Sequence, residues 1–127
     1  MNVYYRKVLP HDITHEISLT QYVFYEFFSG KSSVFFQIRG EGHLYYVTFN
    51  NATDLRFGAD FKAMCRLLDV HEGDFIVIKK TTADTYSIDV ERKDNSTTKP
   101  YYHYFTGTRR HLIVTLDNNS FTKLYVR

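Results

Sequence analysis

The stretch from Val34 to Lys80 constrains the fold of this chain more than any other. Two runs rich in β-branched and aromatic residues, 34–39 and 43–49, flank Gly40-Glu41-Gly42. Residues of this kind favour strands, and glycines supply the positive φ angles that a short hairpin turn needs. The pattern therefore predicts an antiparallel hairpin.

One helix and one further strand follow this hairpin. Four apolar residues are spaced i, i+3, i+4 and i+7, which puts them on one helical face. They are Phe61, Met64, Cys65 and Leu68. After a turn at Gly73-Asp74, the apolar run 75–78 is too short and too β-branched for another helix. The sequence thus predicts a single helix packed between two strand-rich halves.

The N-terminal part predicts one strand and one helix. Residues 2–9 form the expected strand, which ends at Pro10 because proline cannot donate to a continuing ladder. Residues 11–16 are predicted to be a polar loop. A capping box starting at Ser18 and an apolar stripe predict a helix over 18–28. Gly30 lies where a left-handed helix cap is expected.

Short strands dominate the C-terminal part of the sequence. Alternating residues predict a strand over 86–91 that pairs with 75–80, and 101–105 is predicted to be another short strand. A second hairpin is expected from 111–116 and 121–126. Seven or eight short strands in so short a chain must close into a barrel or stack as a sandwich to bury their faces.

Composition limits the class of protein. A chain of 127 residues suffices for one domain that buries a core without disulfide or metal staples. The lone Cys65 on an apolar helix face fits a reduced, cytoplasmic protein, and the start of the chain predicts neither a signal peptide nor a membrane span. The formal charge is only +2, so binding of a polyanion must depend on local basic residues.

The central stretch resembles a known DNA-binding domain. The resemblance lies in Leu55-Arg56-Phe57-Gly58-Ala59-Asp60-Phe61 and in Leu68 to Val77 with its Gly73-Asp74 turn. A glycine, a helix with a core aromatic and a leucine leading to a Gly-Asp turn occur in this order in the B3-type pseudobarrel of plant transcription factors and bacterial restriction endonucleases. The plant domains carry tryptophans at two places where this chain has none, which favours the bacterial branch. The resemblance implies a mainly β fold, a seven-stranded open pseudobarrel with two short α-helices.

The resemblance also implies a function and a set of site residues. In the family, two loops grip the major groove of double-stranded DNA, one after the first strand and one before the second helix. The matching base-reading residues are His11, Asp12, Thr14 and His15 in the first loop, and Asn50, Asn51, Thr53, Asp54 and Arg56 in the second. Asn suits adenine, Arg suits guanine and Asp suits cytosine. The residues expected to hold phosphates are Lys7, Lys31, Arg39, Arg109 and Arg110.

Other interpretations remain open at this point. Residues 50–54 also have the composition of an ordinary exposed turn. Asp74, Glu91 and Lys93 loosely match the pattern by which nucleases hold Mg²⁺. The many Tyr and Phe residues are also typical of barrels that stack single-stranded DNA or RNA. The histidines do not form a zinc pattern, and we expect no metal, no cofactor and no catalytic residue in this domain.

The expected biological setting follows from the resemblance. Residues 1–127 are expected to be a single target-recognition domain, an N-terminal piece of a larger restriction endonuclease or restriction subunit. The expected partners are double-stranded DNA and a nuclease or ATPase domain or subunit outside this chain. No membrane partner is expected.

Overall fold

A single curled sheet forms the framework of the protein. The computed structural model describes residues 1–52, 54–117 and 120–126, with residues 117 and 120–126 described by their backbone. Within these residues, seven strands of six or seven residues and one two-residue strand build a half-barrel. The strands are β1 (Asn2–Lys7), β2 (Ser33–Ile38), β3 (Leu44–Asn50), β4 (Arg56–Phe57), β5 (Phe75–Lys80), β6 (Thr85–Glu91), β7 (His111–Asp117) and β8 (Ser120–Val126). The mainly β, barrel-like fold class is confirmed.

The order of strands across the sheet is β4-β3-β2-β6-β5-β1-β7-β8. The predicted hairpins β2–β3, β5–β6 and β7–β8 are all present as antiparallel pairs. β1 lies between β5 and β7 and is antiparallel to both. Among the described strands, β2 and β6 are the one pair that runs parallel, with Phe36 opposite Tyr86. This parallel contact joins the two hairpins of the central stretch into one continuous surface.

Five short helices are found among the described residues between the strands. They are α1 (Pro10–Thr14), a π-helix (Val23–Phe27), α2 (Ala59–Leu67), α3 (Lys93–Ser96) and a 3-10 helix (Pro100–Tyr104). α2 is the helix predicted from apolar spacing, and Phe61, Met64 and Cys65 are buried as expected. Leu68 ends the helix and is half-buried. No helix among the described residues is long and apolar enough to cross a membrane.

The core lies inside the curl of the sheet and is dominated by aromatic rings. Phe28 contacts Phe36, Phe57 and Tyr86 with ring centroids 4.9 to 6.2 Å apart. Phe57 stacks on Phe61 of α2 at 3.9 Å. A second, smaller cluster lies on the outer face, where Tyr101 stacks on Tyr5 at 4.1 Å. Most of the 22 Tyr and Phe residues therefore lie in these two clusters or pack against them.

Two predicted local structures were wrong. Residues 10–14 form a helix instead of a loop, because Pro10 fits the first helical turn and the Asp12 carboxylate accepts a hydrogen bond from Leu9 N at 2.8 Å. Residues 100–104 form a 3-10 helix where a strand was predicted. In this helix Tyr101, with Phe105 just beyond it, packs on the outer cluster, and this burial outweighs the strand propensity of the aromatic residues.

The helix predicted over residues 18–28 corresponds to the shorter π-helix Val23–Phe27, and its predicted cap was wrong. Thr20, not Ser18, performs the cap, since Thr20 Oγ1 accepts a hydrogen bond from Val23 N at 3.2 Å. Ser18 lies outside the helix and pairs with Arg56 of β4 as an isolated bridge. Gly30 does adopt the predicted left-handed conformation, with φ of +65°, and its N–H bonds to the Phe24 carbonyl at 2.9 Å.

Candidate functional site

The two loops singled out in the sequence meet in the folded protein. We define the first arm as residues 8–19 and the second arm as residues 50–56. Leu19 N donates to the Leu55 carbonyl at 3.2 Å, and Phe57 N donates to the Ile17 carbonyl at 2.9 Å. These bonds join the end of the first arm to the end of the second as a short antiparallel ladder. A groove of about 340 Å³ lies where they meet, and His11, Glu16, Ser18, Leu19, Asp54, Leu55, Arg56 and Arg110 line it.

A buried guanidinium holds the first arm in place. Arg6 points into the interior from β1 and is only 1% exposed. Its Nη1 and Nη2 atoms donate to the two carboxylate oxygens of Asp12 at 2.8 and 3.0 Å, and Nε donates to the Ser18 carbonyl at 3.1 Å. It also donates to the carbonyl of Lys7. Because one planar group binds both Asp12 and Ser18, the conformation of this arm depends on Arg6.

α2 supports the first arm from the other side. Lys62 Nζ donates to the backbone carbonyl of Asp12. Burial lowers the pKa of Lys62. α2 itself is tied to β3, because both carboxylate oxygens of Asp60 accept hydrogen bonds from Thr48 N, at 3.1 and 3.2 Å. The first arm is therefore attached to the rigid part of the half-barrel at several points.

Two histidines stand on the exposed side of the first arm. His11 and His15 stack with ring centroids 3.8 Å apart and nearly parallel planes. Thr14 Oγ1 lies 2.8 Å from His15 Nδ1. All three side chains are exposed, and His11 lines the groove. They remain available for hydrogen bonds to a ligand that enters it.

Arg56 is the cationic residue of the second arm, and contacts on several sides hold it. Its backbone lies between Ser18 on one side and Asn50 on the other. Its side chain is about one-third exposed, and Nη2 lies 2.8 Å from a carboxylate oxygen of Asp54. Asn50 and Asn51 are exposed, and Asn50 Oδ1 accepts a hydrogen bond from Ala52 N at 3.1 Å. The arm thus presents two amides and one ion-paired guanidinium.

The predicted base-reading residues divide into three groups. His11, Thr14, His15, Asn50, Asn51, Asp54 and Arg56 have exposed or half-exposed side chains on the two arms. Asp12 is only 2% exposed and is bound to Arg6, so its position does not fit base reading and assigns it a structural role. Thr53 lies outside the described residues.

The predicted phosphate-binding residues do not share one surface. Arg110 lines the groove, Arg109 is exposed beside it in the chain, and Lys7 N donates to the Arg110 carbonyl at 2.9 Å. Lys31 instead donates to the carbonyl of Ala83, in the turn after β5, at the opposite end of that strand from Lys7. Arg39 lies away from the groove and pairs with Asp89 at 3.1 Å. Only the first three are brought near the arms.

A buried histidine near Arg6, His111 of β7, stays neutral. His111 is buried, and its Nδ1 atom lies 2.7 Å from Tyr4 Oη. Burial lowers the pKa of His111 far below its usual value, and the nearby charges of Arg6 and Arg110 act in the same direction. A neutral imidazole beside a buried guanidinium avoids a second charge in the interior.

Asp74 is occupied by the backbone around it. One carboxylate oxygen accepts from Lys93 N at 2.9 Å, and the other accepts from His71 N at 2.9 Å and from Arg92 at 3.0 Å. Glu91 lies 3.9 Å from Lys99. Among the described residues, no group of three or more His, Cys, Asp or Glu side chains is arranged to hold a metal ion. These contacts give Asp74 a structural role, in which it holds the turn before β5 against Arg92 and Lys93.

Arg6, Ser18 and Lys62 support the arms, and sequence reasoning did not identify these roles. The signal for Arg6 was its place in β1, two residues after Tyr4 and hence on the same inward face. An arginine on an inward face requires a buried acceptor, and Asp12 is the nearest carboxylate that follows it in the chain. The roles of Ser18 and Lys62 depend on contacts between distant elements.

Comparison with solved structures places this fold beside a known one. The N-terminal domain of Helicobacter pylori LlaJI.R1 is similar over 92% of this chain and 100% of its own, with a TM-score of 0.74 and 18% sequence identity. Family models and curated proteins yielded no match to this sequence. At this identity the similarity establishes a shared fold.

Proposed function

We propose that this domain binds double-stranded DNA and recognises a target sequence, in the manner of the B3-type domains of restriction enzymes. The observation that carries the proposal is the groove in which the two arms and Arg110 converge. Its lining includes the imidazole of His11 and the guanidinium groups of Arg56 and Arg110, and Asn50 and Asn51 add exposed amides on the second arm. Groups of these kinds hydrogen-bond to base edges in the major groove.

The fold similarity supports this proposal. LlaJI.R1 is a restriction-modification-related protein, and the similar structure is its N-terminal domain. A recognition role for this chain within a restriction system, next to a nuclease or ATPase domain or subunit, is consistent with that fold.

In the proposed complex the second arm and the two arginines before β7 have different tasks. Asn51 and Arg56 read bases, since amides suit adenine and guanidinium suits guanine. Arg109 and Arg110 contact phosphates, which fixes the position of the protein without reading the sequence. Arg6 contacts no DNA in this scheme and acts by holding the first arm.

We further propose that the domain alone does not cut DNA. Both carboxylate oxygens of Asp74 already accept hydrogen bonds, one from His71 N and the other from Lys93 N, which does not favour a catalytic metal ion there. Incubation with plasmid and Mg²⁺ or Mn²⁺ should leave the DNA intact. Nicking that Glu91→Ala or Lys93→Ala abolishes would support a nuclease instead.

A competition experiment tests the binding proposal. A labelled random duplex bound to the chain is challenged with unlabelled duplex and with single strands of equal length. Duplex should compete more strongly, since two rigid arms suit a groove. Stronger competition by single strands would favour stacking on exposed aromatics such as Phe35 and Tyr46, whose rings contact each other at 5.7 Å on the hairpin β2–β3.

Selection of binding sites from random duplexes then supplies a cognate sequence. Asn51→Ala and Arg56→Ala should each weaken cognate binding far more than random binding, by about 1–3 kcal/mol per lost base contact. Arg110→Gln should weaken both to the same degree. Unchanged selectivity in both arm variants would refute the assignment of the arms.

A further inference from the structure

We infer that a second pocket, separate from the groove, binds a phosphate group of the DNA backbone. This pocket of about 240 Å³ lies between the end of β1, the turn before β5 and helix α3, and Lys7, Gly73, Lys93, Asp94 and Thr97 contribute to its wall. The inference rests on the proposed function, because the ligand is a phosphodiester of the bound duplex. It adds Lys93, which is absent from the phosphate-binding residues predicted from the sequence.

The turn before β5 positions Lys7. Gly73 N donates to the Val8 carbonyl at 2.8 Å, and Val8 N donates to the Asp74 carbonyl at 2.8 Å. These two bonds extend the pairing of β1 with β5 by one residue beyond Lys7, which lies opposite Phe75. The backbone of Lys7 is therefore held, and its side chain contributes to the wall of the pocket.

The same turn positions Lys93 from the other side. Lys93 N donates to Asp74 Oδ1 at 2.9 Å. The stem of Lys93 runs directly over Gly73, because a Cβ atom built on Gly73 would lie 2.8 Å from Lys93 Cδ and 3.3 Å from Cγ. Gly73 also has φ of +87°, which favours glycine. The turn therefore leaves room for a lysine stem that leads into the pocket.

The two ammonium groups are not neutralised within the folded chain. In the part of the chain that the structure describes, neither Lys7 nor Lys93 lies within 4.0 Å of a carboxylate oxygen, although Asp94 also lines the pocket. By contrast, Arg39, Arg56 and Lys99 each have an acidic partner. Two like charges directed into one concave site favour an anion there. The hydroxyl of Thr97 adds a neutral donor.

The pocket continues the surface of the groove. Lys7 N donates to the carbonyl of Arg110, which lines the groove, so Lys7 lies between the two sites. A DNA strand presents a phosphate about every 3.4 Å along the helix axis. A duplex seated on the arms therefore presents further phosphates along the direction from Arg110 to Lys93.

Salt dependence of DNA binding tests this pocket. Affinity for a random duplex is measured by fluorescence anisotropy over a series of salt concentrations for Lys7→Gln, Lys93→Gln and a matched control, Lys80→Gln. Lys80 is exposed and lies at the far end of β5 from the pocket. Each pocket variant should reduce the slope of log K against log salt by about 0.9, and the control should leave it unchanged.

Two additional measurements separate a charge effect from a structural one. Lys93→Arg keeps the charge and should restore the slope. The thermal midpoints of Lys93→Gln and wild type should agree, because the Lys93 side chain is exposed. The inference would be overturned if Lys7→Gln and Lys93→Gln gave the same slope as the control. If the wild type still bound duplex and Arg110→Gln still reduced the slope, the proposed function would stand.

The failure of the proposed function gives a different result. In that case the wild-type chain itself shows no salt-dependent binding to duplex. The last measurement is the thermal midpoint with inorganic phosphate at constant ionic strength. A rise in the thermal midpoint of the wild type that Lys93→Gln abolishes would indicate a site for the free anion and would overturn the assignment to the DNA backbone, whereas no rise supports it.

Discussion

Loss of the Asp12 carboxylate should destabilise this protein strongly. Asp12 and Arg6 are 2% and 1% exposed, and two hydrogen bonds of 2.8 and 3.0 Å join them. Asp12→Ala would leave the guanidinium buried without its counter-charge and would also remove the acceptor for Leu9 N. Breaking a buried pair by removing one partner costs about 3–5 kcal/mol.

This free energy corresponds to a large shift in the thermal midpoint. An unfolding entropy of about 2.1 cal/mol/K per residue gives about 270 cal/mol/K for 127 residues. The Tm of Asp12→Ala should therefore fall by about 11–19 °C relative to wild type. Calorimetry or far-UV circular dichroism on purified protein measures this shift, and urea denaturation gives the free energy directly.

Asp89→Ala is the matched control. Asp89 also pairs with an arginine, Arg39, at 3.1 Å, but both side chains are largely exposed. Exposed pairs contribute about 0–1 kcal/mol, so this variant should shift Tm by at most about 4 °C. Equal shifts for Asp12→Ala and Asp89→Ala would refute the reasoning. The double variant Arg6→Met, Asp12→Leu should recover much of the lost stability, because it removes both buried charges together.

Three further predictions concern single residues. Burial raises the pKa of the Cys65 thiol to about 12, so iodoacetamide should label it only when the protein unfolds, and fast labelling of the native chain would contradict its burial. Since the folded pKa of His111 is lowered, the unfolded chain binds an extra proton below pH about 6.5; stability should fall as the pH drops through that value, and His111→Gln should weaken this dependence in urea titrations. Asp54→Asn removes the carboxylate 2.8 Å from Arg56 and one negative charge from the groove, so affinity for random duplex should rise more than in Asp89→Asn. Equal affinities of these two variants in anisotropy titrations would show that Asp54 does not restrain Arg56.

The strands and α2 were predictable because their signals are local. The hairpin β2–β3 follows from two alternating runs around a glycine turn, and α2 follows from apolar residues spaced at 3.6-residue periodicity. Burial of Phe61, Met64 and Cys65 follows from the same spacing. Each of these features depends on neighbours within one or two turns of the chain.

Two errors show where local signals lose to packing. Residues 100–104 carry aromatic residues that favour strands, yet they form a 3-10 helix because Tyr101 can then stack on Tyr5 in the outer cluster. Asp12 lies in a polar stretch that is typical of an exposed loop, yet it is buried because Arg6 requires a counter-charge. In both cases a partner in a different element decides the outcome.

The sequence by itself determined the β class and the positions of most strands and of helix α2. Tertiary structure alone decided that β2 and β6 pair in parallel and that Leu19 and Phe57 bond to the opposite arm. It also decided that the Gly73-Asp74 turn sets Lys7 and Lys93 into one pocket. The physical reason is that periodicity and turn chemistry act between residues close in sequence, whereas closure of the half-barrel joins residues far apart in the chain, and the identity of those partners follows from the burial of the whole core.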